Sequence, residues 1–192
     1  MSVRILALVG SLRTGSFNRQ LAEAAARVSP DGVTIEIVEG LTELPYYDED
    51  IDLDGVAPRQ AVAVRRTVGE ADALMLFTPE YNGTTSAVLK NALDWLSRPY
   101  GASALSGKPT VVLSATYGQF GGVWAQEEVG KALGVAGAQV IPGEGVAVGG
   151  TRQRFADTHP ADDPEIAVQL RRAVISAVPP VGRLRGDRLQ EA

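Results

Sequence analysis

Three short stretches of this 192-residue chain hold residue types suited to gripping a small molecule with a charged end and a flat end. The first is 10–18, GSLRTGSFN. Ser11, Ser16 and Asn18 bring short polar side chains, and Arg13 brings a fixed positive fork. A helix beginning near Ser16 adds unpaired N–H groups and a positive dipole end. Together these describe a cradle for a phosphate monoester. No Gly-Lys-Ser/Thr closes the stretch as in a P-loop, and it is not a G-x-G-x-x-G turn. A plain strand-to-helix turn with a serine cap is the alternative.

The second stretch is 78–86, TPEYNGTTS. Pro79 ends a strand, Tyr81 offers a flat face, and Asn82-Gly83 is a turn dipeptide that exposes backbone groups. Such a loop suits the edge of a planar heterocycle, and equally a turn with a threonine cap. The third stretch, 114–122, reads SATYGQFGG. Its glycines admit a ring closely, and Tyr117 or Phe120 would cover it. A flexible loop before a Gly-Gly helix start explains the same residues.

These stretches need a frame that brings them together, and hydrophobic periodicity supplies one. VRILALV at 3–9 and ALMLF at 73–77 are continuous apolar runs, as in strands covered on both faces. TVVLS at 110–114 is similar, 34–38 alternates as an edge strand does, and 139–141 begins a short fifth strand. Between and after them, 17–28, 61–71, 84–97, 124–136 and 164–178 carry apolar residues at helical spacing. Alternation of this kind predicts an α/β, flavodoxin-like three-layer sandwich with a five-stranded parallel sheet in the order 2-1-3-4-5. Its switch point falls between the first and third strands, where the three stretches leave the sheet. One domain over 1–178 is expected, with 179–192 as a flexible C-terminal tail.

Composition excludes several chemistries. There is no cysteine, so disulfides, thiol catalysis and zinc or iron–sulfur clusters fall away. The net charge of -5 disfavours broad nucleic-acid or membrane-surface binding. No run of about 20 apolar residues and no secretory pattern is present, so a cytoplasmic protein is expected. The one histidine, His159, reads as a surface loop residue, and the acidic residues at 48–54 as a solvated loop. Trp95 reads as core or subunit contact.

At the three loops the chain resembles the NADPH-dependent FMN reductase family, which includes quinone, chromate and azo-dye reductases. The resemblance rests on G-S-x-R-x-x-S-x-N-x-x-L over 10–21, then P-E-Y-N at 79–82 followed by L-K-N-A-x-D-W at 89–95. It implies FMN as cofactor, with NADPH or NADH as electron donor. It implies that Ser11, Arg13, Ser16, Phe17 and Asn18 hold the FMN phosphate, Phe17 through its backbone. Pro79, Glu80, Tyr81, Asn82 and Gly83 would border the isoalloxazine, and Ser114, Tyr117 and Gly118 would form the third flavin contact. Trp124 stands where many relatives carry an arginine, so no donor phosphate contact carries over from there. The implied activity is a ping-pong transfer of two electrons to a small-molecule acceptor such as a quinone or free flavin, with no catalytic side chain. A homodimer or homotetramer is also implied. A flavodoxin-type electron carrier without nicotinamide activity is the alternative, and a flavin-free protein holding another phosphate ester is a third reading.

Overall fold

The computed structural model describes residues 2–179, so most of the expected tail at 179–192 lies outside the described residues. Strand β1 (Val3–Val9) is followed by helix α1 (Phe17–Arg27) and strand β2 (Val33–Ile37). Helix α2 (Arg59–Gly69) leads to β3 (Ala73–Thr78), α3 (Ala87–Leu96), β4 (Pro109–Ala115) and α4 (Val123–Val135). Two short strands follow, β5 (Gln139–Val140) and β6 (Ala147–Val148), then α5 (Thr151–Arg154) and α6 (Pro164–Ala177). The sheet is parallel in the order β2-β1-β3-β4-β5, as the apolar runs predict.

The fifth position departs from one continuous strand. β5 pairs with the start of β4 through Pro109 and Thr110, and β6 pairs with its end through Ser114 and Ala115. The segment between them, Ile141 to Val146, contains Pro142, Gly143 and Gly145, which interrupt a regular ladder. β6 therefore carries the sheet edge up to the level of the third loop.

Alternation along the central strands splits their side chains between two cores. Ile5, Ala7, Val9, Met75, Phe77, Val111 and Leu113 face α1 and α6. Leu6, Leu8, Leu74, Leu76 and Val112 face α2, α3 and α4. Among the described residues β2 pairs only with β1, and its Glu36 meets Arg4 on the neighbouring strand at 2.7 Å. Trp95 is fully buried and donates its indole N–H to the Pro45 carbonyl at 2.8 Å, which makes it a core residue. The acidic loop is tied down where Asp52 accepts from both terminal nitrogens of the Arg65 guanidinium at 2.6 Å. No helix among the described residues is long and apolar enough to cross a membrane.

Candidate functional site

β1, β3 and β4 run level and parallel, so the loops after them emerge side by side. Close packing then joins them. A Cβ added at Gly10 would lie 2.7 Å from the Ser86 hydroxyl and 3.0 Å from Pro79, so only glycine lets the first loop lie against the second. Asn18 fastens the first loop to β4: its Nδ2 donates to the Ala115 carbonyl at 2.9 Å and its Oδ1 accepts from the Ala115 N–H at 3.0 Å. Phe17 meets Tyr117 of the third loop edge-on, with centroids 6.1 Å apart.

Within the first loop, Ser16 is buried and caps α1 by accepting from the Arg19 N–H at 3.3 Å. Its N–H donates to the Arg13 carbonyl, which closes the turn. The backbone N–H groups of 11–15, and those of Phe17 and Asn18 opening α1, donate to no acceptor among the described residues. Ser11 is half-buried with its hydroxyl uncommitted, and Arg13 is exposed, hydrogen-bonded among the described residues only to the Thr14 carbonyl at 3.2 Å. The sequence groups Ser16 and Asn18 with the anion-gripping side chains. In the structure their side chains shape the cradle instead, one as a helix cap and the other as a clamp.

The second loop is a two-residue hairpin. Tyr81 and Thr84 exchange backbone hydrogen bonds, and Asn82 and Gly83 have φ of 54° and 77°, the two positive values a type I′ turn requires. This bridge uses Thr84, so α3 starts at Ala87 behind a Ser86 cap rather than at 84. Tyr81, Asn82 and Gly83 are exposed, while Pro79 is buried. Two carboxylates cross-brace the hairpin to α4. Glu128 accepts from the Thr84 hydroxyl and from the Thr85 N–H, and the Thr84 bond foremost holds its carboxyl below the usual range. Glu80 accepts from the Ala125 N–H at 3.1 Å. That contact replaces the side-chain cap that Gly122 cannot provide at the start of α4.

In the third loop Ser114 is placed differently from the expected ring contact. It is wholly buried, donates to the Gly121 carbonyl and accepts from Gln126 at 2.7 Å. Its hydroxyl folds the loop back on itself and is not presented at the surface. Tyr117 and Gly118 are exposed beside the first loop, and Phe120 and Trp124 pack as a tilted pair 5.7 Å apart. A Cβ on Gly83 would come 4.0 Å from Trp124, which places that pair next to the hairpin.

Sequence reasoning missed the segment after β6. Gly149 lies so close to the third loop that a Cβ there would sit 2.4 Å from the Gln119 carbonyl oxygen. Thr151 bonds twice to the Thr116 carbonyl, and Phe155 packs on Phe17 at 5.8 Å. Arg152 stands over Tyr117, its guanidinium 5.8 Å from the ring centroid. The Gly149-Gly150 pair before a short helix was the available signal, but it matches no motif by itself. Among the described residues no cluster of His, Asp or Glu could hold a metal ion.

The edge therefore offers free N–H donors with Arg13 at one end and exposed small and aromatic surface at the other. Such a trough can hold an anion at the first loop and a flat ring between the second and third. Known proteins resemble this chain in sequence and fold. The model of the family described as NADPH-dependent FMN reductase matches residues 3–153. A 2-hydroxy-1,4-benzoquinone reductase from a Burkholderia species is 42% identical over 129 residues, 67% of this chain and 69% of that protein. An NAD(P)H-dependent FMN reductase of Pseudomonas aeruginosa is 33% identical over 189 residues, 98% of this chain and 88% of that protein. Among solved structures, the flavoenzyme FerB, an NAD(P)H:(acceptor) oxidoreductase of Paracoccus denitrificans, superposes with a TM-score of 0.79. It shares 24% identity, covers 91% of this chain and 95% of its own, and shows a common fold.

Proposed function

The chain belongs to the NADPH-dependent FMN reductase family, and from that premise we propose that it uses FMN to pass electrons from NAD(P)H to quinones, flavins or similar planar acceptors. The observation that carries this reading is the run of uncommitted N–H groups at 11–15, 17 and 18 beside Arg13. A turn at a helix start with so many N–H groups free of protein acceptors is matched to an acceptor-rich anion, and a phosphate monoester is one.

The residues present fit the cofactor. Ser11, Arg13 and the Phe17 and Asn18 N–H groups would hold the phosphate, and Ser16 and Asn18 keep that cradle in shape through their side chains. Tyr81, Asn82 and Gly83 would border the ring on one side, and Tyr117 and Gly118 on the other. Pro79 and Glu80 support this border, as does Ser114 from beneath the third loop. When bound, FMN supplies the two-electron chemistry, accepting from the nicotinamide and giving to the acceptor. The protein's own part is to orient the ring, leave one face open for donor and acceptor in turn, and place backbone dipoles near it. No side chain is required to move a proton at a defined atom.

The same reading includes a homo-oligomer and a cytoplasmic setting, where reduced nicotinamide is available. Exposed Tyr100 and Val135 border a groove of about 640 Å³ with Leu93 and Ala132 between α3 and α4, a surface suited to a second subunit. One domain over 1–178 would carry the whole activity. The test is anaerobic mixing of FMN-loaded protein with NADPH and then with a quinone. Bleaching of the flavin band followed by its return supports a reductase. A flavin that NADPH and NADH leave oxidised indicates a carrier instead.

A further inference from the structure

The inference rests on the FMN reading above and adds a residue from outside the three loops. Five arginines elsewhere on this acidic chain meet carboxylates, Arg4 with Glu36, Arg19 with Glu39, Arg65 with Asp52, Arg154 with Asp163, and Arg172 with Glu144, whereas Arg27, Arg59, Arg66, Arg98 and Arg171 meet none among the described residues. Arg13 and Arg152 have no carboxylate within ion-pair distance among the described residues. Yet they come from positions 139 residues apart in sequence to the same ring, each with its guanidinium 5.8 Å from the centroid of Tyr117. Arg13 also lies 5.5 Å from the Phe17 ring. Two like charges held near one aromatic side chain repel each other, and a bound anion within reach of both would offset that cost.

The backbone behind Arg152 is firmly placed. Thr151 is buried and donates both its N–H and its hydroxyl to the Thr116 carbonyl, at 3.1 and 2.9 Å. The Gly150 N–H donates to the Gly118 carbonyl at 3.2 Å, and Phe155 packs on Phe17. The short helix is thus bolted to the third loop on one side and to the start of α1 on the other. The guanidinium is exposed and has no hydrogen-bond partner among the described residues, so its five donors remain available.

We propose that Arg152 is a second guanidinium for the FMN phosphate, closing the cradle opposite Arg13 from the segment after β6. The position favours this phosphate over the 2′-phosphate of NADPH. Tyr117 packs edge-on against Phe17, at the start of α1, so the two cations gather where the third loop meets the first. A dianionic phosphate has enough acceptor oxygens for both forks and the loop N–H groups.

The experiment compares wild type, Arg152→Gln and Arg152→Lys, each stripped of flavin and titrated with FMN and with riboflavin by fluorescence quenching. Riboflavin has the same ring and no phosphate. The expected result is a Kd for FMN raised roughly 10-fold or more in Arg152→Gln, partly restored in Arg152→Lys, with riboflavin affinity unchanged in all three. The salt dependence of FMN binding should also weaken in Arg152→Gln. Unchanged FMN binding overturns the proposal, as does equal loss of FMN and riboflavin, which marks a loop-shaping role. A rise confined to the KM for NADPH, with NADH unaffected, assigns Arg152 to the donor's phosphate and also overturns it. Wild type that binds no FMN defeats the cofactor reading itself, whereas wild-type binding with an unaffected variant defeats only the role of Arg152.

Discussion

Asn18 shows how little of a residue's work is visible in its type. Its place in G-S-x-R-x-x-S-x-N suggests an anion ligand, whereas its amide spans 97 residues to satisfy both backbone groups of Ala115. Only the tertiary fold brings Ala115 there, so no local pattern reveals the clamp. Asn18→Ala orphans a buried N–H and a buried carbonyl, which costs about 1–3 kcal/mol for each. We expect the urea midpoint to fall accordingly. FMN and riboflavin affinity should fall together, because the whole first loop loses its anchor. Ser16 was legible in both its readings, and the cap is the one its side chain fulfils. Ser114 was not, since its burial depends on Gly121 and Gln126 folding over it. Arg13 was singled out because a charged fork in a glycine- and serine-rich turn has few structural uses, and among the described residues it forms no ion pair.

Strands and helices were the most readable part of the chain, because two-sided burial writes a continuous apolar run and one-sided burial writes a stripe. Boundaries shifted where loops took over helix-like residues, as Thr84 did for the hairpin. The split between β5 and β6 was illegible because two-residue strands carry no periodicity. Glu128 is the element-level counterpart of Asn18, tying α4 to the hairpin before α3. Glu128→Ala should loosen Asn82-Gly83 and weaken FMN and riboflavin binding by the same factor, roughly 3- to 10-fold for one charge-assisted contact partly lost. Equal factors distinguish this ring-side brace from a phosphate contact. Asp52 and Arg65 clip the 41–58 loop onto α2, and the Arg65 hydrogen bonds foremost hold the Asp52 carboxyl below the ordinary carboxylate range. The stability this pair gives is therefore present above about pH 4, the unfolded-state value, and is lost as pH falls through the lower folded one. Denaturation midpoints measured between neutral and strongly acidic pH should fall less steeply for Asp52→Asn than for wild type.

At the scale of the molecule, the parallel order places β1 and β3 side by side at the centre, and the crevice above them follows from topology. That much the sequence states through its alternating elements. It does not state that the segment after β6 reaches the same edge, because β6 is positioned by backbone packing of Gly121 and Gly149 and not by side-chain pattern. A ligand that binds only the folded chain stabilises it in proportion to the logarithm of its excess over Kd. FMN at about 100 times its Kd should add about 2.7 kcal/mol. For a domain of this length that raises Tm by about 5–10 °C, measurable by thermal shift, and riboflavin at the same concentration should do less. Light scattering after size exclusion should return a mass at least twice that of the 20.2 kDa chain if the groove between α3 and α4 receives a second subunit.

The central claim is that the turn after β1 holds the phosphate and the turns after β3 and β4 flank the ring. An electron-density map of the protein crystallised with FMN tests it most directly. The account predicts phosphate density within hydrogen-bonding distance of the N–H groups of 11–18, and ring density lying along Asn82-Gly83 and Tyr117-Gly118. Density for FMN anywhere else, or a reversed molecule with its ring at the first loop, would contradict it.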